Sequence, residues 1–130
     1  VRLTRNIGTV TLDLDQVEAL DLRTVGGADV VTVNDLTGTD LAQINTDLTA
    51  SIGGPDLASD TVVVNGTRGN DVINVGDDGT SVVVQGLRAS VRITGADPTL
   101  DVLAVNGLDG ADSITSTAVA QSLMVLQLVP

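Results

Sequence analysis

The stretch Thr61-Val-Val-Val-Asn-Gly-Thr-Arg-Gly-Asn-Asp-Val-Ile-Asn-Val75 decides how this chain is read. Two short Val/Ile runs flank a loop of Asn, Gly, Thr and Asp, the residue types that favour turns over regular structure. Alternation in Val72-Ile-Asn-Val75, and again in Ser90-Val-Arg-Ile-Thr94, fits strands with one face toward a core and the other toward water. The phrase returns without gaps as Leu20-Asp-Leu-Arg-Thr-Val-Gly-Gly-Ala-Asp29 and Leu103-Ala-Val-Asn-Gly-Leu-Asp-Gly-Ala-Asp112, so that Asp29, Asp71 and Asp112 lie 42 and 41 residues apart. Apolar strand starts recur near Leu20, Leu41, Val62, Val82, Leu103 and Leu123, roughly every 21 residues, with a second set halfway between at Val10, Val30, Ile52, Val72, Val91 and Ile114.

Two short strands per period with turn residues between them describe a coil whose rungs stack as parallel strands about 4.8 Å apart. The spacing therefore predicts an all-β fold, a parallel β-solenoid (β-helix or β-roll-like) of about six rungs of roughly 21 residues, forming one domain over residues 1–130. Thr49 to Asp60 fits least well, because only Ile52 marks the second face and Gly53-Gly54-Pro55 reads as a loop. An antiparallel sandwich of short strands is the competing architecture. A sandwich gives no reason for one loop sequence to repeat in phase.

Composition points the same way. The 130 residues include no aromatic residue, cysteine, histidine or lysine, and the apolar content is Val (21), Leu (16), Ala (11) and Ile (6) with a single Met. Branched aliphatics pack well on pleated surfaces, whereas compact globular cores normally draw on large aromatics. The acids are 16 Asp against one Glu, and Asp is a turn residue, so the net charge of −11 is expected in the turns. With six Arg as the only basic side chains, nucleic acid is excluded as a partner because phosphate binding needs a clustered positive surface. No stretch approaches the roughly 20 apolar residues of a spanning helix, so membrane insertion is not expected.

The segments Val33-Asn-Asp-Leu-Thr-Gly-Thr-Asp40, Thr61 to Val75 and Leu103-Ala-Val-Asn-Gly-Leu-Asp-Gly-Ala-Asp-Ser-Ile114 resemble the degenerate repeat region of secreted bacterial haemolysin-type (RTX-like) calcium-binding proteins. The resemblance implies an extracellular or cell-surface, non-enzymatic β-solenoid segment of a large secreted protein. The family's calcium-binding form repeats Gly-Gly-x-Gly-x-Asp-x-apolar-x in tandem every nine residues, whereas Gly-x-Asp occurs here once per two rungs. The chain also opens without Met on a strand-like pattern and closes on apolar Leu123 to Val129, which reads as a fragment with uncapped ends. Other domains of the same parent protein and end-to-end self-association are the partners expected on this view.

Two sets of acids stand out. Asp29, Asp71 and Asp112 would share one edge of the coil but skip alternate rungs, about 9.6 Å apart, far beyond the 2.3–2.6 Å of calcium–oxygen bonds. They read as a structural turn motif in which Gly27, Gly69 and Gly110 supply positive φ while each Asp accepts backbone N–H bonds. The opposite edge carries acids in four consecutive rungs, and Asp77-Asp78-Gly79 beside Asp56 or Asp97 makes Asp56, Asp77, Asp78 and Asp97 a candidate Ca²⁺ set. The plain alternative is a solvated acidic edge that discourages pairing between molecules. Asn65 and Asn106 share a repeat position, with Arg23 as their counterpart, and stacked Asn side chains form hydrogen-bond ladders.

Catalysis is not expected. Without His, Cys, Lys or Tyr, only carboxylate chemistry is formally open, and no aromatic ring is available to stack on a sugar. The expected function is a structural or spacer repeat module, with a calcium-loaded module as the alternative.

Overall fold

The computed structural model describes residues 1–130. The strands, in chain order, are β1 (Arg2–Arg5), β2 (Val10–Asp13), β3 (Ala19–Val25), β4 (Val30–Val33), β5 (Gln43–Ala50) and β6 (Thr61–Asn65). They continue as β7 (Val72–Asp77), β8 (Val82–Gln85), β9 (Ser90–Thr94), β10 (Val102–Asn106), β11 (Ser113–Ser116) and β12 (Val125–Val129), with one helix, α1 (Ala118–Leu123), before the last strand.

These twelve strands form three sheets rather than a closed solenoid. A parallel sheet has the order β12-β10-β6-β4, a mixed sheet the order β11-β7-β8-β9-β5-β3, and β1 and β2 form a separate antiparallel pair. The expected six uniform two-strand rungs are overturned at β8, which runs antiparallel to both β7 and β9. The cause is local. After β7 the Asp78 carboxylate accepts the amides of Thr80 (3.1 Å) and Ser81 (2.8 Å), Asp77 accepts that of Gly79 (3.0 Å), and Gly79 sits at φ +95. That turn sends the chain back beside β7 instead of across to the other sheet. A second reversal follows at Gly86, where φ is +106 and a Cβ would run into the Val72 carbonyl. Only glycine fits there.

The uniform period fails as well. Val62 pairs with Leu103 and Ile73 with Ile114, both 41 residues on, but Val31 pairs with Val62 at 31 and Ile44 with Val91 at 47. The antiparallel sandwich is not realised either, because every pair in the four-stranded sheet is parallel. Ile52, read as a strand start, is 95 % exposed in the turn after β5.

Alternation, by contrast, places the core correctly. In β6 and β10 the inward residues Val62, Val64, Leu103 and Val105 are wholly buried, and Val82, Val84, Val91 and Ile93 from the mixed sheet join them in one apolar cluster. Each fully buried Val or Leu contributes roughly 1.5–3 kcal/mol. Helix α1 was not anticipated: Thr117 caps it by accepting the Ala120 amide at 3.1 Å, and Ala120 and the following Met124 are fully buried in the same cluster. The region read as an uncapped end thus carries a short plug ahead of its last strand.

Candidate functional site

Each strand in the middle of the parallel sheet is preceded by an aspartate and ends on an asparagine, and these side chains form two ladders across the sheet. At the entry, the Asp60 carboxylate accepts the Asp29 amide at 2.8 Å and the Asp101 carboxylate accepts the Asp60 amide at 2.9 Å. Asp101 uses its second oxygen for the Asp97 amide (2.7 Å), and Asp97 in turn accepts the Leu57 amide (3.0 Å). Asp56 extends the set by accepting the amides of Gly27 and Ala58. At the exit, the Asn65 amide group donates to Asn34 and that of Asn106 donates to Asn65, both at 2.9 Å. An Asn ladder was expected, but its third member is Asn34; Arg23 instead pairs with Asp47 across β3 and β5.

The loops after β6 and β10 stack on each other. Asp71 accepts the Thr67 amide (2.7 Å) within its own turn, and Asp112 accepts the Asp71 amide (2.8 Å) from the next loop. Gly66 and Gly107 make room for these carboxylates: a Cβ on Gly66 would lie 2.6 Å from Asp71 Oδ2, and one on Gly107 would collide with the Asp112 carboxyl group. Asp29 does not belong to this set. It lies on the other ladder with Asp60 and Asp101, because Leu20 to Val25 enters the mixed sheet beside β5 while Val62 and Leu103 pair in the parallel sheet. Gly27 and Gly110 have positive φ, whereas Gly69 does not; its carbonyl is the surface against which Gly110 packs.

The four acids read as a calcium set fall in two places. Asp56 and Asp97 lie on the entry side of the parallel sheet, joined through Leu57 and Ala58, whereas Asp77 and Asp78 occupy the β7–β8 turn. Asp77 also accepts the Thr117 hydroxyl (2.6 Å) and Asp78 pairs with Arg92. The amides of Thr80 and Ser81 hold the Asp78 carboxyl below the usual carboxylate range, with Arg92 adding to the effect. Nowhere do three acidic side chains converge in a geometry that holds a metal ion.

Asp60 behaves oppositely. It is 1 % exposed, and burial pushes its carboxyl above the usual range, opposed by the Asp29 amide and reinforced by the carboxylates of Asp101, Asp56 and Asp29. Its Oδ2 has no partner, and the same holds for Oδ2 of Asp29 and of Asp112. Asp60 and Asp101 belong to the acidic edge read from the sequence, but lie outside the four residues read as a calcium set.

An open groove of about 470 Å³ beside β12 is lined by Pro98, Ser116, Gln121, Met124, Val125, Leu126 and Leu128, none of them ionisable. No helix is long and apolar enough to cross a membrane. No family model, curated protein or solved structure matches the chain. The RTX-like and secreted character implied by the resemblance therefore finds no support in these comparisons, and the parallel solenoid it implied is replaced by the three-sheet arrangement.

Proposed function

We propose that this chain is a non-catalytic structural module, a spacer that carries other domains of its parent protein. The observation that supports this reading is the use made of its aspartates. Asp56, Asp60, Asp97, Asp101 and Asp112 accept main-chain amides from segments 29 to 41 residues distant, and Asp56 and Asp101 also from their own loops. Except at Asp60, where burial of the charge offsets the gain, a carboxylate hydrogen-bonded to an amide contributes more than a neutral acceptor, about 1.5–3 kcal/mol. The acids thus act as cross-strand ties, which is a load-transmitting role and needs neither a nucleophile nor a proton donor.

The competing reading is a module that folds when Ca²⁺ loads the acidic turns. Circular dichroism and thermal melting in EDTA and in millimolar Ca²⁺ separate the two. The scaffold reading expects the same strand signal and the same Tm in both. A chain that is unfolded in EDTA and gains its strand signal on adding Ca²⁺ would replace it with the calcium reading.

A further inference from the structure

The parallel sheet ends on β4 at one side and β12 at the other, and neither edge strand has a partner on its outer side. Because Thr61 donates to the Asp29 carbonyl and Val125 to the Asp101 carbonyl, the parallel ladder turns the N–H and C=O groups of Val30 and Thr32 outward on β4, and those of Leu126 and Leu128 outward on β12. Neither edge carries a charged residue or a proline within the strand, the usual devices that blunt one. The mixed sheet ends at the same two sides on β3 and β11, which run parallel to each other because β8 is the only reversed strand between them.

We infer that this chain stacks head to tail, β12 of one copy pairing in parallel with β4 of the next, in the register that sets Val125 beside Val30. In that register the hydrogen bonds alternate as they do within the sheet. Leu126 N–H meets the Val30 carbonyl, Thr32 N–H the Leu126 carbonyl, and Leu128 N–H the Thr32 carbonyl.

Two further features of the two edges fit each other. On the outer face, Val125 and Val30, 40 % and 71 % exposed, cover one another, and Gln127 meets Thr32. On the inner face, the half-buried Val31 comes beside Leu126 at the open groove, so that two cores become continuous. The two surfaces are different patches of one molecule and both run the same way, so the contact is heterologous and does not close at a dimer.

Sedimentation of the full chain across micromolar to submillimolar concentration tests this, with Leu126→Pro and Thr32→Pro each removing one outward N–H and sparing the bonds inside the sheet. The wild type is expected to grow past two chains with concentration. Each proline variant alone is expected to stay monomeric, and an equimolar mixture of the two to form a one-to-one dimer that grows no further. Circular dichroism checks that the variants keep the strand signal. Val30→Lys, at an exposed side chain, is expected to weaken association at least tenfold without touching the fold, and covers the case in which a proline variant misfolds. A wild type that stays monomeric throughout overturns the inference. So does a single proline variant that still dimerises, which would mean like edges pairing about a two-fold axis. The inference builds on the scaffold reading, and the two fail separately: a monomer with the same melt in EDTA and Ca²⁺ removes only the stacking, whereas a fold that depends on Ca²⁺ removes the scaffold.

Discussion

Two parts of this chain use the same residues to opposite ends. In the segments Asp60 to Val75 and Asp101 to Ser116, aspartates reach across to amides 41 residues away, and strands and loops stack in parallel. In Val72 to Ser90, Asp77 and Asp78 turn onto amides two or three residues ahead, and the chain folds back on itself. What separates a cross-strand tie from a chain reversal is the backbone around the aspartate. Asp60, Asp101 and Asp112, each just before a strand, hold an amide one strand or loop over, whereas Asp78, just before a positive-φ glycine, closes an Asx turn.

That difference can be broken from either side. The largest effect is expected at Gly86→Ala, which forces a side chain into a left-handed backbone and against the Val72 carbonyl at the second reversal. Loss of about 4 kcal/mol, or failure to fold, should appear in urea denaturation; a loss below about 1 kcal/mol would mean that the β8 reversal is not built as described. Next comes Asp101→Ala, which strips the acceptors from the amides of Asp60 and Asp97 in a site that is 1 % exposed. A loss of roughly 3 kcal/mol follows, measured the same way. Asn65→Ala interrupts the half-exposed Asn34–Asn65–Asn106 ladder and is expected to cost about 1 kcal/mol.

The smallest effect is in the pH dependence. The raised Asp60 carboxyl binds its proton more tightly in the folded chain, so its contribution favours folding at low pH and is lost as pH rises from the unfolded value of 3.8 through the folded one. Asp47 and Asp78 are lowered, chiefly by the Thr49 side chain and the Thr80 amide respectively. Their contribution is present above the unfolded value and is lost as pH falls through the folded one. Asp60→Asn should therefore leave a steeper acid-side loss of stability and a slightly higher Tm at pH 7, read from melts across pH 3 to 7. An unchanged acid limb would remove Asp60 from the account.

Strand positions and core were legible because alternation in Val62 to Asn65 and Val102 to Asn106 follows directly from burial on one face. The ladder is legible too, but in a phrase that recurs at unequal intervals. Asp29-Val-Val-Thr-Val-Asn34, Asp60-Thr-Val-Val-Val-Asn65 and Asp101-Val-Leu-Ala-Val-Asn106 carry it, with intervals of 31 and then 41 residues. A search for one period passes over unequal spacing and aligns Leu20 to Asp29 with the wrong partners. The sense of a strand is harder still: Val82 to Gln85 looks the same whether it runs with its neighbours or against them, because side-chain alternation is blind to chain direction. The turns on either side, at Asp77-Asp78-Gly79 and at Gly86, carry that information, and acids clustered beside a glycine equally suit a metal site.

The two reversals also fix an order of events. The β7–β8–β9 meander closes through turns of four residues each, Asp78–Ser81 and Gly86–Ala89, whereas β5 must find β9 across 47 residues and β6 must find β10 across 41. Closing a long loop costs more entropy and is slower than closing a short one. The meander is thus the natural nucleus, a central platform on which earlier and later strands are laid down from both sides. Gly86→Ala is then expected to slow folding rather than hasten unfolding, while Asp101→Ala does the reverse, a split that stopped-flow refolding and unfolding arms would display.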